Sequence, residues 1–249
     1  MRYKLGTKKW VEKYNGKLGF RDKMSMIYQG VKARSKTIKQ IKNGDKLANL
    51  SIDEILPPDS AICQEAMLLC EEVSQPFLFN HSMRSYFWAR LLNTDKSFDD
   101  EAAFVAMLLH DLGLTNKYKL GNGSQQCFTL PAANIAEEMA LKHNWSSKRA
   151  LIVANAITLH LNVTIDACHG VEAILVRKGS GADVAGLGLH LLHREQISGV
   201  VEKFPRLDLK KEMQIALNNE INNRSCCRIS YLYQKLQFGE YIRKAPFEE

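Results

Sequence analysis

Four polar residues stand where a helical pattern asks for apolar ones, and together they could hold a metal ion. His81 opens a helical stretch whose same face carries Arg84, Ser85, Trp88 and Leu92. His110 and Asp111 close an otherwise apolar run, FVAMLLHD, at residues 104–111. Asp183 follows a Gly-rich bend at Gly179 and Gly181. Each one singly reads most simply as a hydrogen-bonded core residue. An adjacent His-Asp pair at the end of a core run is rarer, because burying two ionisable groups needs a partner. Two imidazoles and two carboxylates form an N2O2 set suited to Zn, Fe, Mn or Mg. A metal that takes five or six neighbours keeps a place for water beside such a set.

Other titratable residues surround this group in sequence. Lys117 follows the pair in a Gly-, Asn- and Lys-rich loop at 113–127. Its ammonium could return to a cleft and stabilise negative charge, or it is a solvated loop lysine beside Lys119. His160 ends the apolar stretch LIVANAITLH. It could exchange a proton near neutral pH, or satisfy a carbonyl at a helix end. Arg84 lies one turn from His81 and could pair with an acid or bind a phosphate. His143 and His160 are candidates for a second metal, although the polar context LKHNW places His143 at the surface. His190 and His193, at i and i+3, read as partly buried helix residues. No P-loop, G-x-G-x-x-G or G-x-S-x-G motif is present,.

The elements that must position these residues are helices joined by short loops. Pro57-Pro58 forces an extended turn. A helix capped by Asp59 or Ser60 then runs to about Ser74, with Ile62, Ala66, Leu69 and Val73 at helical spacing and Pro76 as its stop,. Further helices are expected from Asn80, from Asp99, at 131–143 with Pro131 in the first turn, and at 146–161, 169–178, 184–203, 208–221 and 225–237,. The fold class is all-α, with eight or nine helices and no solenoid repeat.

The pattern His81…His110-Asp111…Asp183, with steps of 29 and 72 residues, resembles the ligand signature of the HD superfamily of metal-dependent phosphohydrolases. The segments NHSMR at 80–84, LLHDL at 108–112, TNK at 115–117, AITLH at 156–160 and FPR at 204–206 are similar, in order and spacing, to the cyanamide-hydratase-type branch. The likeness covers about residues 57–210. It implies a compact helical HD-domain bundle with a metal site in its core, ligated by His81, His110, Asp111 and Asp183. It places Thr115, Lys117 and His160 near the pocket as substrate contacts or proton handlers. Where the branch carries an acid after a pocket Phe, this chain has Phe128-Thr129.

The functional expectation is a bound water activated by one divalent metal, Zn or Fe first and Mn or Mg next, with Asp111 accepting its proton and Lys117 or His160 serving the developing anion. A small nitrile such as cyanamide, hydrated to urea, would want a small apolar cavity, for which Trp88, Met107 and Phe128 are candidates. A nucleotide or other phosphoester would want more cations, with Arg84 and Lys117 in that role. The sparse Arg content near the ligands leans to the small substrate. A non-catalytic nucleotide- or partner-binding HD module and a di-iron oxygenase are the other readings.

Composition sets the remaining bounds. The 249 residues are 45% hydrophobic and 24% charged with few Gly and Pro, which excludes a wholly disordered or collagen-like chain,. No apolar stretch is long enough to span a bilayer, and the N-terminus has no secretory pattern. Residues 1–48 hold 14 Lys and Arg against 3 Asp and Glu, and the remainder 20 against 24. The net charge of +7 is therefore the property of a basic N-terminal extension, 1–48, on a catalytic domain, 49–249,. That extension is a solvated segment packed in part through Trp10, Tyr14, Phe20 and Tyr28, or a surface for an acidic partner or nucleic acid. Six Cys without a C-x-x-C pair read as reduced thiols of a cytoplasmic protein, which leaves a homo-oligomer open,.

Overall fold

The computed structural model describes residues 3–47, 50–95 and 97–249. Among them are twelve α-helices and no strand. In chain order they are α1 (Lys8–Tyr14), α2 (Phe20–Asn43), α3 (Ala61–Val73), α4 (Pro76–Leu91), α5 (Asp100–Leu109), α6 (Thr129–Lys142), α7 (Ser147–Leu159), α8 (Val171–Ala185), α9 (Arg194–Lys203), α10 (Leu209–Asn223), α11 (Arg228–Lys235) and α12 (Phe238–Arg243).

Helix α5 is the axis of the bundle. Every residue from Ala102 to Leu109 is buried, because α3, α4, α7 and α8 all pack on it. A helix apolar on all sides has no other stable place. Its start is fixed by Asp99, whose carboxylate accepts from Ala102 N at 3.0 Å, and by Asp100 and Glu101 in the first turn,. Its end passes through His110 into a short 3-10 turn at Leu112–Leu114. Gly113 lets that turn press against the start of α6, since a Cβ there would meet the Phe128 carbonyl at 1.9 Å.

Three expectations need correction. Helix α4 starts at Pro76, not near Asn80, with the proline at N1, where its missing N–H costs nothing,. The bend at Gly179 and Gly181 is absent: α8 runs unbroken from Val171 to Ala185 and carries Asp183 inside it. Gly179 serves helix packing instead, because a Cβ there would lie 2.0 Å from the Ser85 carbonyl of α4. The expected helix 184–203 is split, since Gly186 ends α8 in the left-handed region at φ 68° and α9 begins only at Arg194,. His190 thus sits on a short turn facing Gln40, and His193 caps α9; they share no helix face.

Gly179→Ala should be costly for its size. The α4–α8 contact must open, and we expect a loss of about 2–3 kcal/mol from overpacking. In thermal unfolding that is a Tm lower by roughly 4–12 °C, and a Tm within a degree or so of wild type would contradict the close approach.

The basic extension does not hang free over its whole length. Trp10 and Val11 of α1 are buried, and α1 packs on α6 and α7. Trp10 also lies beneath the buried Arg228, 5.4 Å from the guanidinium.

Candidate metal centre

Four helices bring the expected ligands to one place. Helix α4 presents His81, Arg84 and Trp88 on one face, as spacings of three and four require,. The end of α5 supplies His110 and Asp111, α7 ends in His160, and α8 contributes Asp183. His81, His110 and Asp183 have no solvent exposure, and Asp111 has 6%.

The imidazoles are fixed from behind. His110 Nδ1 lies 2.7 Å from the Met107 carbonyl, and His160 Nδ1 lies 2.7 Å from the Ile157 carbonyl. A carbonyl only accepts, so each Nδ1 carries the hydrogen and each Nε2 presents a lone pair. His81 Nδ1 likewise donates to Asp183 Oδ2 at 2.7 Å. The Nε2 atoms of His81 and His110 are 3.1 Å apart, with Asp111 Oδ2 at 3.5 and 3.4 Å from them. His160 Nε2 is 3.6 Å from Asp111 Oδ1. His81, His110 and Asp111 are the group among the described residues whose ligand atoms converge closely enough to hold a metal.

Converging lone pairs and a carboxylate need a positive charge between them, a metal ion or a proton. Burial lowers the pKa of His81, but Asp111 and Asp183 outweigh it and the net shift is upward. Burial pushes His110 down and His160 down to about 3. Burial raises Asp111, yet His110, His81 and His160 hold it below the usual carboxylate range. The chemistry of the donor set therefore fits a divalent metal that displaces a proton on binding. Two imidazoles and one carboxylate leave positions for water, as catalytic sites do.

Asp183 stands behind His81 rather than beside the other ligand atoms. Its Oδ1 accepts from Arg84 Nε at 2.7 Å and Trp88 Nε1 at 2.8 Å, and its Oδ2 accepts from His81 Nδ1 and from Arg84 at 2.9 Å. Burial would raise its pKa, but the Arg84 guanidinium and the His81 bond hold it far below the ordinary range. The carboxylate–imidazole pair orients His81 from the far side of the ring.

Several expected substrate contacts do other work. Arg84, expected to meet substrate, is wholly buried, because Asp183 takes two of its nitrogens and the Phe204 and Pro205 carbonyls take the third. Trp88, expected in the cavity wall, is buried as a donor to Asp183. Lys117 does not return to the centre; its half-exposed ammonium pairs with Glu72 at 3.0 Å. Thr115 is buried and donates to the Leu112 carbonyl at 2.7 Å. Phe128 does lie near the centre, with its ring 6.2 Å from that of His160. His143 bonds Glu65 at 2.7 Å, and among the described residues it joins no group of converging ligand atoms.

Sequence reasoning missed the purpose of Asn80 and Arg206. Asn80 Nδ2 donates to the Pro205 carbonyl at 2.8 Å, and Arg206 donates to the Asp183 carbonyl at 3.1 Å. The segments NHSMR and FPR therefore meet at Asp183. Their joint presence was a signal, but only the fold shows that they touch.

The buried His, His, Asp group of this all-helical bundle, taken with the family and relatives it matches, indicates a metal-dependent hydrolase or hydro-lyase. The chain belongs to the HD domain family, whose profile matches residues 78–203. Two cyanamide hydratases of Saccharomyces cerevisiae (strain ATCC 204508 / S288c), DDI2 and DDI3, are each 25% identical to it over 162 residues. The match covers 61% of this chain and 70% of each relative. Among the described residues no helix is long and apolar enough to cross a membrane.

Proposed function

We propose that the protein hydrates a small nitrile, with cyanamide as substrate and urea as product. The observation that carries this reading is the convergence of His81 Nε2, His110 Nε2 and Asp111 Oδ2, with His160 Nε2 beside the other Asp111 oxygen. His81, His110 and Asp111 would hold Zn or Fe. Asp183 orients His81, and it could join the metal's own shell only by giving up a present donor. Residues 49–249 would form the catalytic unit, with 1–48 docked on it through α1. Six free cysteines suit a reducing compartment such as the cytoplasm,.

A metal held there would polarise the nitrile and make a water acidic enough to attack near neutral pH. The water oxygen bonds to the nitrile carbon. Its released proton is taken at Asp111 Oδ1 and passed through His160 Nε2 to the nitrile nitrogen. A second proton moves from oxygen to nitrogen and leaves urea, with all atoms accounted for. His160 is suited to the relay because its Nδ1 is tied to Ile157 and its Nε2 turns a lone pair toward Asp111 Oδ1, 3.6 Å away,.

A neutral substrate is favoured over a phosphoester by what the cations do. Arg84 is committed to Asp183 and to two carbonyls, and Lys117 faces Glu72. A phosphoryl group would need such charges turned toward it. The test is urea release from cyanamide by the Zn- and Fe-loaded protein, beside phosphate release from nucleotides and p-nitrophenyl phosphate. Urea formation that chelation abolishes and added metal restores supports the reading. Phosphate release without urea would replace it with a phosphohydrolase.

A further inference from the structure

Helix α2 carries its apolar face outward. Phe20, Met24, Ile27, Val31, Ile38 and Ile41 follow alternating steps of four and three, broken only by Arg34, and so lie in one stripe,. Each is between 39 and 79% exposed. The flank roughly a third of a turn round from the stripe, where Met26 is buried and Gly30, Ala33, Thr37 and Gln40 are half-buried, is made of mostly small or polar residues,. An ordinary surface helix has the opposite arrangement. The orientation is held at the C-terminal end of the helix. His190 faces Gln40 at 3.4 Å, and Lys46 reaches the His190 and Leu192 carbonyls at 3.0 and 2.6 Å.

Charge selects the occupant of the stripe. Along its 24 residues α2 holds seven Lys and Arg against one Asp. A second copy laid on the stripe would bring two such cationic helices together, with Arg34 inside each contact. Nucleic acid would engage the cations but leave six large apolar side chains in water. An anionic bilayer answers both features at once. A helix of this length lies flat over about 36 Å. Its apolar side chains enter the acyl boundary, and the Lys and Arg side chains extend to the phosphates.

We infer that α2 is an interfacial anchor that seats the protein on anionic lipid, with the outward apolar stripe inserted and the flanking cations on the headgroups. The inference is independent of the nitrile reading. The test is co-sedimentation of the full-length, metal-loaded protein with phosphatidylcholine vesicles, with and without about one-third phosphatidylserine. Two variants separate the contributions, Val31→Glu/Ile38→Glu for the stripe and Arg21→Gln/Lys39→Gln/Lys42→Gln for cations that flank it,. All five positions are exposed, so far-UV circular dichroism and metal content should stay at wild-type values. Wild type should bind the anionic vesicles and not the neutral ones. Binding should fall about tenfold or more in the Glu variant, and several-fold in the Gln variant and at raised salt. No binding by wild type at low salt, or undiminished binding by the Glu variant, would overturn the inference. A dimer in light scattering that the Glu variant abolishes, without vesicle binding, would also overturn it and assign the stripe to a second copy.

Discussion

Asp111→Ala should purify with little metal and lose activity by about 10³-fold or more. Groups that only orient a ligand cost about 10–100-fold when removed, and Asp111 supplies a ligand atom and the local negative charge. Its Oδ2 is within 3.5 Å of both His81 Nε2 and His110 Nε2, and its Oδ1 faces His160 Nε2. Without it, two neutral imidazoles face each other with no anion to balance a dication. Asp111→Asn separates charge from shape, because the amide fills the space but binds a divalent cation poorly. The measurement is metal per chain by elemental analysis, on wild type and both variants, together with turnover. Metal near one per chain in Asp111→Ala, with activity within tenfold of wild type, would remove Asp111 from the centre.

Asp183→Ala should be the most destabilising single change at this centre. The carboxylate is buried and is the common acceptor for Arg84, Trp88 and His81. Deleting it leaves the Arg84 guanidinium buried against two carbonyls, and removing one member of a buried ion pair costs about 3–5 kcal/mol. For a domain of this size that is a Tm lower by roughly 6–20 °C. Adding Arg84→Met to Asp183→Leu should return part of the loss, because the second change removes the orphaned charge. Metal binding should not return with it, since His81 has still lost the acceptor that fixes its ring. Thermal unfolding with and without metal reads both effects. A double variant no more stable than Asp183→Leu alone would mean that Arg84 is not the charge that Asp183 compensates.

The parts of the site differ in how legible they were in the chain. His110 and Asp111 stand out because they end the apolar run of α5, and an ionisable pair in that place contradicts the local pattern. His81 is marked by its position on α4, and His160 by the apolar stretch of α7 before it. Lys117, Thr115 and Trp88 carried the right chemistry but gave no direction. A loop lysine has no periodicity to say which way it points, and here Glu72 on α3 captures it. The Gly-rich stretch before Asp183 looked like a break, because glycine disfavours a helix interior by about 1 kcal/mol each. Close packing of α4 on α8 outweighs that local preference at Gly179.

The sequence by itself determined the all-α class, the buried axis, the His-Asp pair that ends it and the concentration of positive charge in residues 1–48. Those properties follow from residue type and spacing along single helices, which a linear pattern records. Only the tertiary structure decided that Asp183 stands behind His81, that Arg84 and Arg206 serve that carboxylate, and that α2 turns its apolar stripe to solvent. Each depends on the rotation of a helix against its neighbours, and packing of distant segments, not local periodicity, sets that angle.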